Sequence, residues 1–450
     1  MKYLILNYAP VFIQNLAISV YNYLQYRKRH KGVYTFYREY YQWAESANLP
    51  DLESEFERRL SEFIDHSVSR SIYYSRLNSL SLADFPVLEK EGLLNNFYDI
   101  KTISESDGEV SLTGGTTGAS MKVVYTFQDV QERNALLDHF RAKYGYVLGK
   151  KTAWFSGKNL TRNKDLSRGI CYRDDWINSI RFFSTFHIAE RNFDIYWKAF
   201  TEFAPEYIVG FPSSVYDICV MALERGLSFH GVVRAFFPTA ETILPVYREV
   251  IYKVLGCPLI DQYASSEGAP FILQCQEGRL HIHPLTGVFE VVDDNLEPTD
   301  EGEILVTSFT THGTPLIRYR IGDRVKLAPT NCTCECGSAF PIVEYIDGRS
   351  SDFLWSPENG KVNLGNISNC TKDAPGIVCF QVHQGCPNAV EVKLVKGRQF
   401  TSRDEKKFID AMRSRLGVSV NITINYVNEI PREKSGKFRI VKNQIAERFI

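Results

Sequence analysis

Between Ser111 and Lys122 the chain reads Ser-Leu-Thr-Gly-Gly-Thr-Thr-Gly-Ala-Ser-Met-Lys, with three glycines and three threonines in the six residues from Thr113 to Gly118. Glycine lets the backbone turn its N–H groups toward an anion, and threonine hydroxyls add donors without bulk. That combination suits a polyphosphate. It is not the GxxxxGK[ST] loop of P-loop proteins, because no Lys-Ser/Thr pair follows at that spacing. Taken alone, the run would also serve as a flexible surface turn.

The elements around the loop decide how it is held. A β-prone segment, Glu109–Thr113, precedes it, and Val123–Phe127 follows after a polar turn. Downstream, helix-like segments (Gln128–Tyr144, Phe193–Phe203, Ser213–Arg225, Leu244–Leu255) alternate with short apolar runs (Tyr207–Gly210, Val232–Phe237, Pro258–Ile260). That rhythm is α/β, with polar loops at the strand ends where ligands of such folds sit. From about Gly287 to Leu327 the pattern turns β-rich. In the last hundred residues, Val378–Val382, Ala389–Val395 and Asn421–Val427 alternate like strands, and Ser402–Leu416 reads as a helix. The expected division is a large domain over 1–347 and a small α+β domain over 348–450.

A chain of 450 residues exceeds what one core usually covers. With 44% hydrophobic and 23% charged residues and a net charge of −1, it reads as an ordinary globular protein. No basic stripe with interleaved aromatics points to nucleic acid. Ten cysteines without a secreted-domain framework suggest a reducing, cytoplasmic setting. At the N-terminus, Tyr3–Tyr26 is uncharged and Arg27-Lys-Arg-His-Lys31 follows. Its asparagines, glutamines and Pro10 argue against a membrane span, and no signal-peptide pattern appears. Leu16, Val20, Tyr23 and Leu24 fall at helical spacing, so an amphipathic helix is expected. Its apolar face would pack on the main domain; the alternative is peripheral contact with an anionic membrane surface.

Several short motifs stand in order after the glycine–threonine loop: Pro238-Thr-Ala-Glu-Thr242, Ala264-Ser-Ser-Glu-Gly268 preceded by Asp261-Gln-Tyr263, Pro315–Asp323, Ile346–Phe353 and Ile430-Pro-Arg-Glu-Lys-Ser-Gly-Lys437. With these the chain resembles the adenylate-forming superfamily, which comprises acyl-coenzyme A synthetases, luciferases and nonribosomal adenylation domains. Within it, the likeness is to the phenylacetate–coenzyme A ligase-like branch associated with capsular polysaccharide biosynthesis, and the opening Tyr8–Asn15 of this chain also looks like the start of those proteins. The resemblance implies an α/β fold: a large N-terminal domain of sheets flanked by helices plus a β-rich subdomain, and a small mobile C-terminal lid. It implies ATP-dependent adenylation of a carboxylate, giving acyl-AMP and pyrophosphate, then acyl transfer to a thiol or an amine.

Carried onto this chain, the resemblance implies that Thr113, Gly114, Gly115, Thr116, Thr117 and Gly118 cradle the β- and γ-phosphates, Thr116 taking part in the chemistry. Glu267 would help hold Mg²⁺. Tyr263 would stack on adenine, and Ala240 and Glu241 would line its other side. Asp323 would accept both ribose hydroxyls, a task that suits two acceptor oxygens. Arg349 would sit near ribose and phosphate, and Lys437 would bridge the α-phosphate and the carboxylate. Lys122 is carried over weakly, because the loop lysine of many synthetases falls at Met121.

Other features bear on metal and substrate. Cys275 and His281, with Cys332-Thr-Cys334-Glu-Cys336, suit a closed tetrahedral zinc site. The resemblance implies structural zinc on Cys275, His281, Cys334 and Cys336, with Cys332 as the substitute. The acid would lie among Phe182–His187, Val209–Pro212 and Ala264–Gly268, where aromatics suit an aryl or alkyl acid while Arg181, His187 and Ser213 suit a polar one. Trp355–Asn369 departs from the usual acceptor loop, which puts coenzyme A in doubt and keeps open an amide-forming ligase acting on an amino sugar or amino acid. A further alternative is a non-catalytic partner of polysaccharide enzymes.

Overall fold

A computed structural model describes residues 9–77, 81–113, 121–156, 160–161, 163–185, 187–188, 190–347, 353–358, 360–363, 367, 369–371, 374, 376–397, 400–431 and 439–445. Three helices lead: α1 (Val11–Arg29), α2 (Tyr34–Ser46) and α3 (Leu49–Arg70). Asn48 caps α3 by accepting from the Asp51 N–H, with Pro50 in the first turn. A hairpin follows, β1 (Glu109–Thr113) antiparallel to β2 (Met121–Tyr125), in register Thr113↔Met121. The expected run to Phe127 stops at Tyr125, because Thr126 and Asp129 form a capping box that starts α4 (Phe127–Ala142).

The next sheet has five strands: β3 (Thr152–Ser156), β4 (Tyr172–Asp175), β5 (Ile180–Ser184), β6 (Tyr207–Gly210) and β7 (Ala235–Pro238), in the order β4-β5-β3-β6-β7. Strands β5, β3, β6 and β7 are parallel, and β4 is an antiparallel edge. Helices α5 (Phe193–Phe203), α6 (Pro212–Glu224) and α7 (Pro245–Leu255) bury residues such as Phe200, Ile218 and Ile251 against it. This is the α/β rhythm expected. The run Pro258–Ile260 differs: it makes only an isolated bridge, Phe236↔Leu259, and Pro258 supplies no ladder donor.

A seven-stranded sheet holds the second core. It is built from β8 (Gln262–Tyr263), β9 (Ile272–Gln274), β10 (Leu280–Ile282), β11 (Gly287–Val292), β12 (Glu301–Ser308), β13 (Tyr319–Leu327) and β14 (Ile342–Asp347), in the order β11-β12-β13-β14-β10-β9-β8. Phe63 and Ile64 of α3 pack into its core with Ile304, Val306 and Tyr319. Near the C-terminus lie the hairpin β15 (Phe353–Ser356) and β16 (Gly360–Asn363), then a four-stranded sheet of β17 (Ile377–Cys386), β18 (Ala389–Lys396), β19 (Asn421–Tyr426) and β20 (Val441–Asn443). Helix α8 (Ser402–Leu416) buries Phe408, Met412 and Leu416 against them in a separate core.

One expectation is reversed. Leu16, Val20, Tyr23 and Leu24 of α1 are exposed, whereas Gln14, Asn15 and Ser19 are buried. The reason is the edge strand β4. Asn15 Oδ1 accepts from the Asp174 N–H at 3.2 Å, and Ser19 Oγ accepts from the Trp176 N–H at 2.9 Å. Gln14 Oε1 accepts from Nε of the fully buried Arg173 at 2.7 Å. The polar face of α1 thus satisfies donors along an open sheet edge, which an apolar face would leave unpaired.

Candidate active site

Hairpin β1/β2 delivers the glycine–threonine loop. Thr113 ends β1, while Gly114, Gly115, Thr116, Thr117 and Gly118 lie outside the described residues, as do Arg349 and Lys437. Two side chains tie the hairpin to the Ser265–Gly268 segment. Ser111 Oγ donates to the Ser266 carbonyl at 3.1 Å, and Tyr125 OH donates to the same oxygen at 2.9 Å. Burial pushes the Tyr125 phenol up, and the Glu267 carboxylate adds to the shift, so it stays a donor.

Glu267, only 7% exposed, therefore stands beside the hairpin. Ser265 Oγ accepts from the N–H groups of Gly268 and Ala269 at 3.1 and 3.0 Å, which fixes the turn. Gly268 has φ +105°, and a Cβ there would meet Thr311 Cγ2 at 2.4 Å and Tyr125 OH at 2.8 Å. Arg133 closes the far side through Nη1, donating to the carbonyls of Gly268 and Ala269, each at 3.1 Å. Sequence reasoning missed Ser111, Tyr125 and Arg133. Their partners lie more than a hundred residues away, and no spacing rule reaches that far.

Tyr263 OH donates to Asp323 Oδ2 at 2.7 Å, so these two expected site residues touch. Asp323 lies within β13, not in a turn, although Gly322 before it has φ +81°. Next to Tyr263, Gln262 Nε2 donates to the Pro238 carbonyl at 3.3 Å and brings the 238–241 segment alongside. Ala240 has φ +65°, a left-handed backbone uncommon for a residue with a Cβ. Both Glu241 oxygens accept from Ser213, one from its N–H and one from its hydroxyl, each at 3.0 Å, at the N-terminus of α6 where negative charge is favoured. Lys122 donates to Glu105 at 2.6 Å.

The residues suggested for the acid divide. Arg181 is neutralised by Asp174 at 2.7 Å and lies 3.7 Å over the Tyr172 ring, so its cation is already matched. Ser213 serves Glu241. His187 accepts or donates through Nδ1 to Ser184 Oγ at 2.9 Å, and burial with Arg191 lowers its pKa. Phe182 within β5 and Phe211, which follows β6 and precedes α6, are both buried.

Away from this site, Cys275, His281, Cys334 and Cys336 place their ligand atoms within 4.8 Å of one another. Cys275 and His281 flank the turn between β9 and β10, closed by the Cys275 N–H on the Arg279 carbonyl at 2.8 Å. Cys334 and Cys336 come from a second turn, closed by the Gly337 N–H on the Cys334 carbonyl at 3.0 Å. Pairing of His281 with Ile342 joins the two halves. Cys275 Sγ is 3.7 Å from Cys334 Sγ, and Cys336 Sγ is 3.5 Å from His281 Nε2. A tetrahedral ion with bonds of ~2.3 Å to sulfur needs edges of about 3.8 Å. Nδ1 of His281 bonds the Phe340 carbonyl at 3.1 Å, which leaves Nε2 facing the cluster. Burial, with Lys143 and Arg279 nearby, lowers the His281 pKa and favours the neutral ring a metal needs. Cys332 instead accepts from Arg279 at 3.5 Å. The four residues fit a metal ion.

The arrangement is that of an adenylate-forming ligase fold. Compared with 2-hydroxyisobutyryl-CoA ligase, solved in the postadenylation state in complex with R3-HIB-AMP, the chain gives a TM-score of 0.71 at 16% identity, covering 89% of this chain and 91% of that one. It is homologous to protein CapK of Staphylococcus aureus, 29% identical over 459 residues, covering 98% of this chain and 99% of CapK. It is also homologous to phenylacetate-coenzyme A ligase of Thermus thermophilus, 28% identical over 276 residues, covering 53% of this chain and 60% of that ligase. Residues 354–444 match the CapK C-terminal domain. The resemblance drawn from the motifs is borne out.

Proposed function

We propose that the chain is an ATP-dependent, AMP-forming acid ligase. The observation that carries the reading is the meeting of Tyr263 and Asp323 at 2.7 Å, with Glu267 tied to the loop-bearing hairpin through Ser266. In the first half-reaction a carboxylate oxygen attacks the α-phosphorus of ATP, the bond to the β-phosphate breaks, and pyrophosphate leaves. Thr113–Gly118 would hold the β- and γ-phosphates, Thr116 next to the reacting centre, with Mg²⁺ on Glu267. Tyr263, Ala240 and Glu241 would bound adenine, Asp323 the ribose and Arg349 the ribose–phosphate side. Lys437 would neutralise charge developing between α-phosphate and carboxylate. In the second, an acceptor attacks the acyl carbon and AMP leaves.

Residues 1–347 would form the nucleotide- and acid-binding domain, with 348–450 as a lid that brings Lys437 to it. Likeness to coenzyme A ligases supports a thiol acceptor; the departure of Trp355–Asn369 from the usual acceptor loop supports an amine as the second reading. Likeness to protein CapK supports surface polysaccharide assembly as the setting. Zinc on Cys275, His281, Cys334 and Cys336 would be structural, because four protein ligands leave no open position.

Pyrophosphate release with ATP across aryl, fatty, amino and uronic acids tests the reading. We expect release with one class of acid, lowered about 10²–10³-fold in Lys437→Ala. Release that Lys437→Ala leaves intact would reject the assignment. ATP binding with no release from any acid would favour a non-catalytic partner. Metal analysis of protein purified without chelator should give about one equivalent of zinc, lost in Cys334→Ser.

A further inference from the structure

Helix α1 is amphipathic in the reverse sense, and its outward face has a defined chemistry. Phe12, Leu16, Val20, Tyr23 and Leu24 form one continuous exposed strip, Phe12 at 61%, Leu16 at 52% and Leu24 at 56%. They are held outward by the buried bonds of Gln14, Asn15 and Ser19 to β4. Beside the strip, the turn after β4 exposes Trp176 at 54% and Ile177 at 51%; the Trp176 N–H is itself bonded to Ser19. A strip of this kind on a folded surface marks a site that something covers.

The charge around the strip says what. The chain from Met1 to Gly32 contains no Asp or Glu. The strip runs into Arg27 and Lys28, both exposed, with Lys31 beyond. Arg27 lies 5.7 Å over the Tyr23 ring, so aromatic and cation stand together at one end. The carboxylates that touch α1 and the residues just after it are held by groups other than Arg27, Lys28 and Lys31: Asp175 accepts from the Asn22 and Asn178 amides, Asp138 bonds His30 and Tyr34, and Glu109 pairs with Arg29. Among the described residues no helix is long and apolar enough to cross a membrane. Lys28 lies 3.9 Å over the Phe127 ring; an apolar strip with aromatics, bounded by cations that pair with no carboxylate among the described residues, matches the boundary between acyl chains and anionic headgroups. A second copy of this chain would bring to the strip the same cations and, from its own α1, no carboxylate to match them.

We infer that α1 and the Trp176–Ile177 turn form a docking surface for an anionic lipid bilayer, with α1 lying in the interface plane. The test is co-sedimentation of the full chain with phosphatidylglycerol-containing vesicles and with pure phosphatidylcholine vesicles. The expected result is binding to the anionic vesicles, weakened by salt and reduced at least about tenfold in the variant Leu16→Glu/Val20→Glu/Leu24→Glu. Those three side chains are exposed, so the variant should keep the melting temperature of the parent, which separates lost docking from lost folding. Trp176→Ser should weaken binding less. A parent chain that stays in the supernatant with anionic vesicles overturns the inference, as does a triple variant that still pellets with them. Concentration-dependent self-association, lost in the triple variant without any vesicle binding, would assign the face to a second copy and also overturn it. Pyrophosphate release is read separately, so failure of the ligase reading leaves this result interpretable.

Discussion

Helices α1 and α8 carry the same kind of periodic signal and use it in opposite ways. In α8, Phe408, Met412 and Leu416 point into the core of the four-stranded sheet, Thr401 and Asp404 form a capping box, and Arg413 and Arg415 occupy the last turn. In α1, Pro10 offers no side-chain cap, the first turn has no acid, and the apolar strip faces outward while Gln14, Asn15 and Ser19 are buried. The neighbours make the difference. Helix α8 meets the apolar face of a sheet, where hydrocarbon is removed from water. Helix α1 meets the edge of one, where unpaired N–H groups and Arg173 demand acceptors. Hydrophobic periodicity finds a helix and divides its surface; what lies beside it decides which half turns inward.

The contrast can be broken by cutting each helix on its buried side. Phe408→Ala should have the largest effect, about 3–5 kcal/mol in urea unfolding, because Phe408 is fully buried against Phe380. A loss below about 1 kcal/mol would mean that α8 is not held by its apolar face. Gln14→Leu comes next. Although more hydrophobic, it should destabilise by about 1–3 kcal/mol, because Arg173 Nε loses its buried acceptor. A stabilising Gln14→Leu would sink the edge-capping account of α1. Thr401→Ala should cost about 1 kcal/mol by removing the cap of α8, an interaction for which α1 has no counterpart.

Much of the fold was legible because local patterns and the fold agree. Phe193–Phe203 and Ser402–Leu416 are helices over the residues their periodicity marks, and Tyr207–Gly210 is a strand. Order and spacing of the motifs also pointed to Tyr263 and Asp323, which touch, and to the four metal-competent side chains, which gather. What escaped was long-range. The hold of Ser111 and Tyr125 on Ser266 depends on register between elements that no local window contains. The orientation of α1 escaped for the same reason, since the open edge of β4 becomes visible only once the sheet is assembled.

The smallest predicted effect is the sharpest test of the comparison. Leu16→Ser and Val20→Ser remove apolar side chains from a helix, a change that costs several kcal/mol where the side chain is buried. Here both residues are exposed, so little hydrocarbon returns to water on unfolding that was not already there. The remaining term is helix propensity, which favours leucine over serine by only a few tenths of a kcal/mol and hardly separates valine from serine. Each substitution should therefore shift stability by no more than about 0.5 kcal/mol, with an unchanged denaturant slope. A loss comparable to Phe408→Ala would mean that the strip is covered by the protein itself in solution. A null effect on stability, combined with loss of vesicle binding in the glutamate variant, would show that these residues serve an external surface and that the polar face alone holds α1 to β4.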